Sequence, residues 1–137
     1  MKLPPFAAVF VLALAACAPE GSPEQQVRDV LAQAEEAAEA RDVSAAMELV
    51  ADEYADANGF NRDELRGFVH GYFVMNPSIN LLVRVEDVQF PADELAQARV
   101  TLGMLGQGLE TQLETFDVEL VKVGDDWRLR RADRVGR

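Results

Sequence analysis

The 137 residues hold one cysteine, one histidine and one tryptophan. A single cysteine forms no disulfide within its own chain, so the fold must stand on packing alone. One histidine and no second thiol speak against a zinc site, which needs clustered His, Cys or carboxylate ligands. Scattered carboxylates leave room for weak calcium at most, and no metal or other cofactor is expected. Basic residues are scarce too: 13 Lys and Arg stand against 24 Asp and Glu, a formal net charge of −11. General nucleic-acid binding rests on neutralising phosphates, so this balance argues against it. The chain also lacks a run of about 20 apolar residues, the length a bilayer-spanning helix requires.

What is present begins with Phe6 to Ala16, an apolar run of about eleven residues behind Lys2, the size of a signal-peptide core. The polar, breaker-rich Ala18-Pro19-Glu20-Gly21-Ser22-Pro23 ends it. Its last residues, Leu14-Ala15-Ala16-Cys17, resemble the lipobox of bacterial lipoproteins. That resemblance implies removal of residues 1–16, a diacylglycerol thioether on Cys17 and acylation of its new amino group. Two or more acyl chains suffice for stable anchoring. Ala18 after the cysteine implies the outer membrane, with the domain facing the periplasm. Residues 17–22 then form the lipidated cysteine and a tether whose last five residues reach about 17 Å at most. Removing residues 1–16, Lys2 among them, leaves 121 residues with 12 basic and 24 acidic side chains. That length suits one domain, over residues 23–137.

Ser22-Pro23-Glu24-Gln25 reads as a helix start, and Val27, Val30, Leu31, Ala34, Ala37 and Ala38 follow at helical spacing. A short second helix is expected over Ser44 to Ala51, capped by Asp42 or Ser44. After a turn-rich connection through Tyr54 and Asp56, Asn61 and Glu64 predict a capping box, with Phe60 and Leu65 as its staple. Leu65, Phe68, Val69, Tyr72 and Phe73 give the third helix an apolar face, and Asn76-Pro77 ends it. The period then becomes two. Ile79, Leu81, Val83 and Val85 alternate with polar residues, as do Ala98, Val100, Leu102 and Met104, and Phe116, Val118 and Leu120. Gly124-Asp125-Asp126 predicts a hairpin into a strand carrying Trp127 and Leu129. Gly103, Gly106 and Gly108 suggest a bulge or loose hairpin at the end of the second strand. Helices followed by antiparallel strands make an α+β domain.

The long first helix ending in Ala40-Arg41-Asp42, the stretch "ADEYADANGFNRDELRGFV" and the closing "GDDWRLRRAD" resemble the nuclear transport factor 2-like superfamily, with its SnoaL-like and ketosteroid-isomerase-like members. The resemblance covers nearly all of residues 23–135. It implies a cone: three N-terminal helices packed in the concave face of a strongly curved antiparallel sheet of about four strands. It also implies a pocket at the open end, expected here to be lined by Phe68, Tyr72, Val83, Val100, Leu102, Met104, Phe116, Val118 and Trp127. A homodimer through the convex face is a further implication, although Asp117, Glu119, Arg128 and Arg130 make that face polar.

Isomerase members need a carboxylate base inside the cone and acidic donors facing it. The three inward series named above contain neither acid nor histidine. The remaining candidates for chemistry are Tyr72, Tyr54, Asp56 and His70. Tyr72 on the apolar helix face suits packing with a polar tip. Tyr54 and Asp56 suit a solvated loop. His70 lies about 100° or more from the centre of its helix's apolar face, counting roughly 100° per residue, which suits the surface. Arg128, Arg130, Arg131, Arg134 and Arg137 crowd the C-terminus, with Arg128 and Arg130 on one face. They offer either cross-strand pairing with Asp117 and Glu119 or a contact for an anionic partner. The sequence therefore points to an envelope lipoprotein. Its non-catalytic cone would bind a small apolar ligand or a protein partner of the envelope; an isomerase or dehydratase-like enzyme is the alternative.

Overall fold

The computed structural model describes residues 21–105 and 112–136. Cys17, the lipobox, Gly106, Gly108 and Arg137 lie outside them. Three helices, α1 (Pro23–Glu39), α2 (Val43–Glu48) and α3 (Arg62–Met75), precede four strands, β1 (Leu81–Ala92), β2 (Leu95–Met104), β3 (Leu113–Val123) and β4 (Asp126–Arg134). The strands form one curved antiparallel sheet in the order β1-β2-β3-β4. No helix among the described residues is long and apolar enough to cross a membrane.

The helix boundaries follow from local chemistry. The Ser22 hydroxyl accepts from the Gln25 amide at 3.1 Å. The Gln25 side chain turns forward and donates to Asp29 at 2.8 Å. Asp42 caps α2 through the Ala45 amide at 3.0 Å. Asn61 and Glu64 close a complete capping box on α3. Arg41 sits at φ 55°, turning the chain between α1 and α2. Its guanidinium donates twice to the Phe73 carbonyl, at 2.8 and 3.1 Å, and once to that of Pro77, at 3.2 Å. This places a cation on the carbonyl end of α3, where helix dipoles favour it. Arg62 holds the other end of α3, donating to Met47 and Val50 carbonyls at 2.6 and 3.3 Å.

Two apolar clusters hold the molecule. The larger joins Val27 of α1 to Ala96, Ala98, Val100, Val118, Leu120 and Trp127 of the sheet. The smaller gathers Met47, Val50 and Tyr54, with Val43, Phe60, Leu65 and Leu129 packed around them. Between α2 and α3 the chain runs along the outer edge of β4. The Ala51 amide donates to Leu129 at 2.8 Å, Leu129 to Leu49 at 2.7 Å, and Ala55 to Arg130 at 3.2 Å. A sheet edge that would otherwise be open is thereby paired.

Two features depart from simple alternation. The β1–β2 ladder shifts register between Glu86 and Gln89 and again between Gln89 and Ala92, and Asp87 takes a left-handed φ of 55° there. The β3–β4 ladder pairs Leu120 with Leu129 but Glu119 with Arg131, leaving Arg130 as an extra residue. Such bulges increase local twist. Gly103 marks no bulge: it pairs in register with Leu82 and Leu113.

Candidate functional site

Cross-strand partners point to the same side of a sheet, so the registers give the concave face row by row. Leu81 faces Met104. Val83, Leu102 and Glu114 form the next row, then Val85, Val100, Phe116 and Arg134, and then Ala98, Val118 and Ala132. Burial falls along this face. Leu120 is fully buried and Val118 is 6% exposed; Phe116 and Glu114 beyond them are half-buried. In β2, Ala96, Ala98 and Val100 are buried, whereas Leu102 and Met104 are half-buried. α1 packs Val27, Val30 and Leu31 into this core, and its C-terminal end reaches β1, where Glu39 accepts the Leu81 amide at 3.0 Å. Leu81, Val83, Leu102, Met104 and Phe116 form a half-buried apolar strip, and Val83, Leu102 and Phe116 pack against the main core.

The structure thus divides the expected pocket lining. Val83, Leu102, Met104 and Phe116 share the half-buried strip. Val100 and Val118 share the face but lie buried beneath α1. Trp127 is 3% exposed at the covered end. Its indole donates to Gln26 at 3.2 Å, and its ring meets Phe90 edge-on at 5.8 Å. Phe68 and Tyr72 belong to neither core cluster. They stack on each other at 6.4 Å on an exposed side of α3, 57% and 38% accessible. The apolar face of α3 is therefore split: Leu65, Val69 and Phe73 turn inward, while Phe68, Tyr72 and Met75 turn out.

The titratable candidates are dispersed. Tyr54 is 3% exposed, a core residue rather than part of a solvated loop. Its hydroxyl donates to Asp56 at 2.7 Å. Burial, then the Asp56 hydrogen bond and charge, hold the phenol well above its usual range, so it stays a donor. The other oxygen of Asp56 accepts the Asn58 and Phe60 amides at 2.9 and 3.1 Å, closing the turn before α3. Asp133 accepts the Ala57 amide at 2.7 Å and pairs with Arg131. His70 is exposed on α3. Apart from the Tyr54 hydroxyl and the Trp127 indole, no buried polar or charged side chain occurs among the described residues, and among them no cluster of three or more ligating side chains could hold a metal.

No family model and no curated protein matches the chain. Solved structures do. An NTF-2-like protein of unknown function from Shewanella oneidensis is 17% identical and superposes with a TM-score of 0.66, over 82% of this chain and 98% of that one. A provisionally named scytalone dehydratase from Novosphingobium aromaticivorans gives 0.71 at 12% identity, over 81% of each chain. A provisionally named calcium/calmodulin-dependent protein kinase type II association domain from Thiobacillus denitrificans gives 0.67 at 16% identity, over 78% of this chain and 91% of that one. The chain has the nuclear transport factor 2-like fold. Neighbours named for a dehydration and for an association show that this cone does not by itself select an activity.

Within the cone, two polar residues share the apolar rows. Glu114 continues the inward series of β3 two residues before Phe116. Arg134 joins it because the extra Arg130 reverses the parity of β4 after Leu129. The two form an ion pair at 3.0 Å on the concave face, next to Leu102 and Phe116. The same bulge separates Arg128 from Arg130. Arg130 approaches Glu119 at 3.8 Å, while Asp117 pairs with Arg99 at 3.1 Å. Arg128 instead lines an open groove of about 550 Å³ between α1, α2 and the β3–β4 turn, with Asp29, Glu48, Asp125 and Asp126. The convex face carries a polar trough of about 400 Å³ around Arg99, Asp117, Glu119 and Arg131.

Proposed function

We propose that the chain is an envelope lipoprotein held at the outer membrane by an acylated Cys17, with its domain facing the periplasm. The domain acts as a non-catalytic binding module for a small apolar ligand. The single observation carrying this reading is the half-buried apolar strip of Leu81, Val83, Leu102, Met104 and Phe116 on the concave face. Ligand sites are concave, mostly apolar and furnished with few polar groups, and this strip has that composition. The isomerase or dehydratase reading has less support. Tyr54 and Asp56 are engaged in closing a turn, His70 and Tyr72 lie on the outside of α3, and the one concave carboxylate named here, Glu114, is paired with Arg134.

A second reading has its own observation. The stripe of Phe68, Tyr72 and Met75 on α3 is 38–81% exposed, a surface of the kind that marks protein contacts. An envelope protein would be the partner. Titration with Nile red, a neutral apolar probe, separates the two. Met104→Asp abolishes probe binding and Phe68→Ser leaves it intact if the concave strip is the site; the reverse pattern overturns that assignment. Mass analysis of the membrane fraction tests the anchor. Acyl mass on Cys17 is expected, and an exported chain without it contradicts the lipoprotein reading.

A further inference from the structure

The sheet order leaves β1 on one edge and β4 on the other. The β4 edge is paired by the chain between α2 and α3. Along β1, backbone groups alternate between the ladder and the edge. The Leu105 amide donates to the Asn80 carbonyl at 2.8 Å, so Asn80, Leu82, Arg84 and Glu86 bond inward to β2. Leu81, Val83 and Val85 therefore turn their amides and carbonyls outward. Two side chains of α1 agree with that parity. Glu39 accepts the Leu81 amide at 3.0 Å, and Arg28 donates to the Val85 carbonyl at 3.0 Å. Neither side chain bonds to Val83 between them. The run Leu81-Leu82-Val83-Arg84-Val85 carries one charge and no Pro or Gly. A β-prone, nearly uncharged segment on a sheet edge is a template for another strand.

We propose that the outer edge of β1 is a strand-pairing surface for a second copy of this chain, held shut by Arg28 and Glu39 of α1. This inference stands apart from the ligand reading above. Symmetry and charge select the occupant. An antiparallel β1–β1 pair is self-complementary, as a two-fold contact requires. Centred on Val85, it sets Arg84 of each copy opposite Glu86 of the other, and opposite charges so placed attract. Both side chains are exposed, at 71% and 49%. That register needs the Val85 carbonyl, which Arg28 occupies. The register shift after Glu86 ends the regular edge. The new pair is therefore short, and it forms only when the α1 ties let go. Glu39 is exposed, and the Arg28 side chain is 38% exposed, so both ties are of the weak, solvated kind. Either opens without unfolding the helix that carries it.

Sedimentation equilibrium of the full chain would compare the unaltered protein with the double variant Arg28→Ala, Glu39→Ala. The variant is expected to self-associate about tenfold or more tightly. Amide exchange at Val83 and Val85 should slow in the associated species. Adding Glu86→Lys sets like charges opposite each other. It should reverse the gain, although it lowers the net negative charge of the chain. Adding Arg84→Glu as well restores opposite charges and should restore association. Circular dichroism checks that each variant is folded. Unchanged association in a folded double variant would overturn the proposal. Association that leaves the Val83 and Val85 amides unprotected, or that ignores Glu86→Lys, would overturn the β1 edge as its site. Should the double variant not fold, amide exchange in the unaltered monomer decides. Leu81 is expected to exchange slowly and Val83 fast, and a slow Val83 amide would show that the edge is already filled.

Discussion

Tyr54 is a buried donor in a stretch whose composition reads as solvated loop. Asp, Asn and Gly around it supply the turn, but the ring fills the small core with Met47 and Val50. Tyr54→Phe should keep that packing and lose the bond to Asp56. A cost of about 1 kcal/mol is expected in denaturant unfolding, whereas Tyr54→Ala costs about 3 kcal/mol or more through the cavity it leaves. Asp133 carries the clearest acid dependence. Partial burial opposes its charge, yet the Ala57 amide and Arg131 outweigh that and lower its pKa. A carboxylate depressed in the folded state contributes stability above its ordinary range, lost as the pH falls through the lowered value. Unfolding titrations should show stability falling below about pH 4. Asp133→Asn should flatten that acid limb and lower stability at neutral pH. The sequence shows the capping residues Asp42, Asn61 and Glu64, because each works within three positions of itself. It half-shows Glu114, by parity with Phe116. It hides Arg134, because one extra residue in β4 reverses which side chains face inward and no local signal announces a bulge.

Elements are legible to the extent that their periodicity is local. The three helices and the four strands lie close to where apolar spacing puts them, and the turn at Gly124 takes its left-handed φ of 63°. What spacing omits is the surface a face packs against. Leu65, Phe68, Val69, Tyr72 and Phe73 look like one face of α3, but the helix is fixed by polar ties at both ends. Arg62 grips α2, and Arg41 grips the carbonyls of Phe73 and Pro77. Those ties set its rotation, and half of its apolar residues are left outside. Arg41→Ala should therefore loosen the C-terminal end of α3 in particular. The expected cost is about 1–2 kcal/mol, discounted for exposure. Amide exchange should accelerate over residues 70–76 and stay slow in β2 and β3. Uniform acceleration would contradict this role for Arg41.

At the scale of the molecule, α+β order was readable from the switch in period after Pro77, whereas the cone followed only from the resemblance to the nuclear transport factor 2-like layout. Which part of the concave face is fully buried was not readable. It depends on how the helices lie on a curved sheet, a tertiary quantity that no spacing records. Ala98, Val100 and Val118 are buried there, whereas Leu102, Met104 and Phe116 are half-buried. The most direct test is methyl NMR of the full chain titrated with a short-chain monoglyceride. Shifts should concentrate on Leu81, Val83, Leu102 and Met104, with Val27 and Leu120 unmoved. Shifts confined to Val30 and Leu49 in the groove beside Trp127, or none at saturating lipid, would contradict the account.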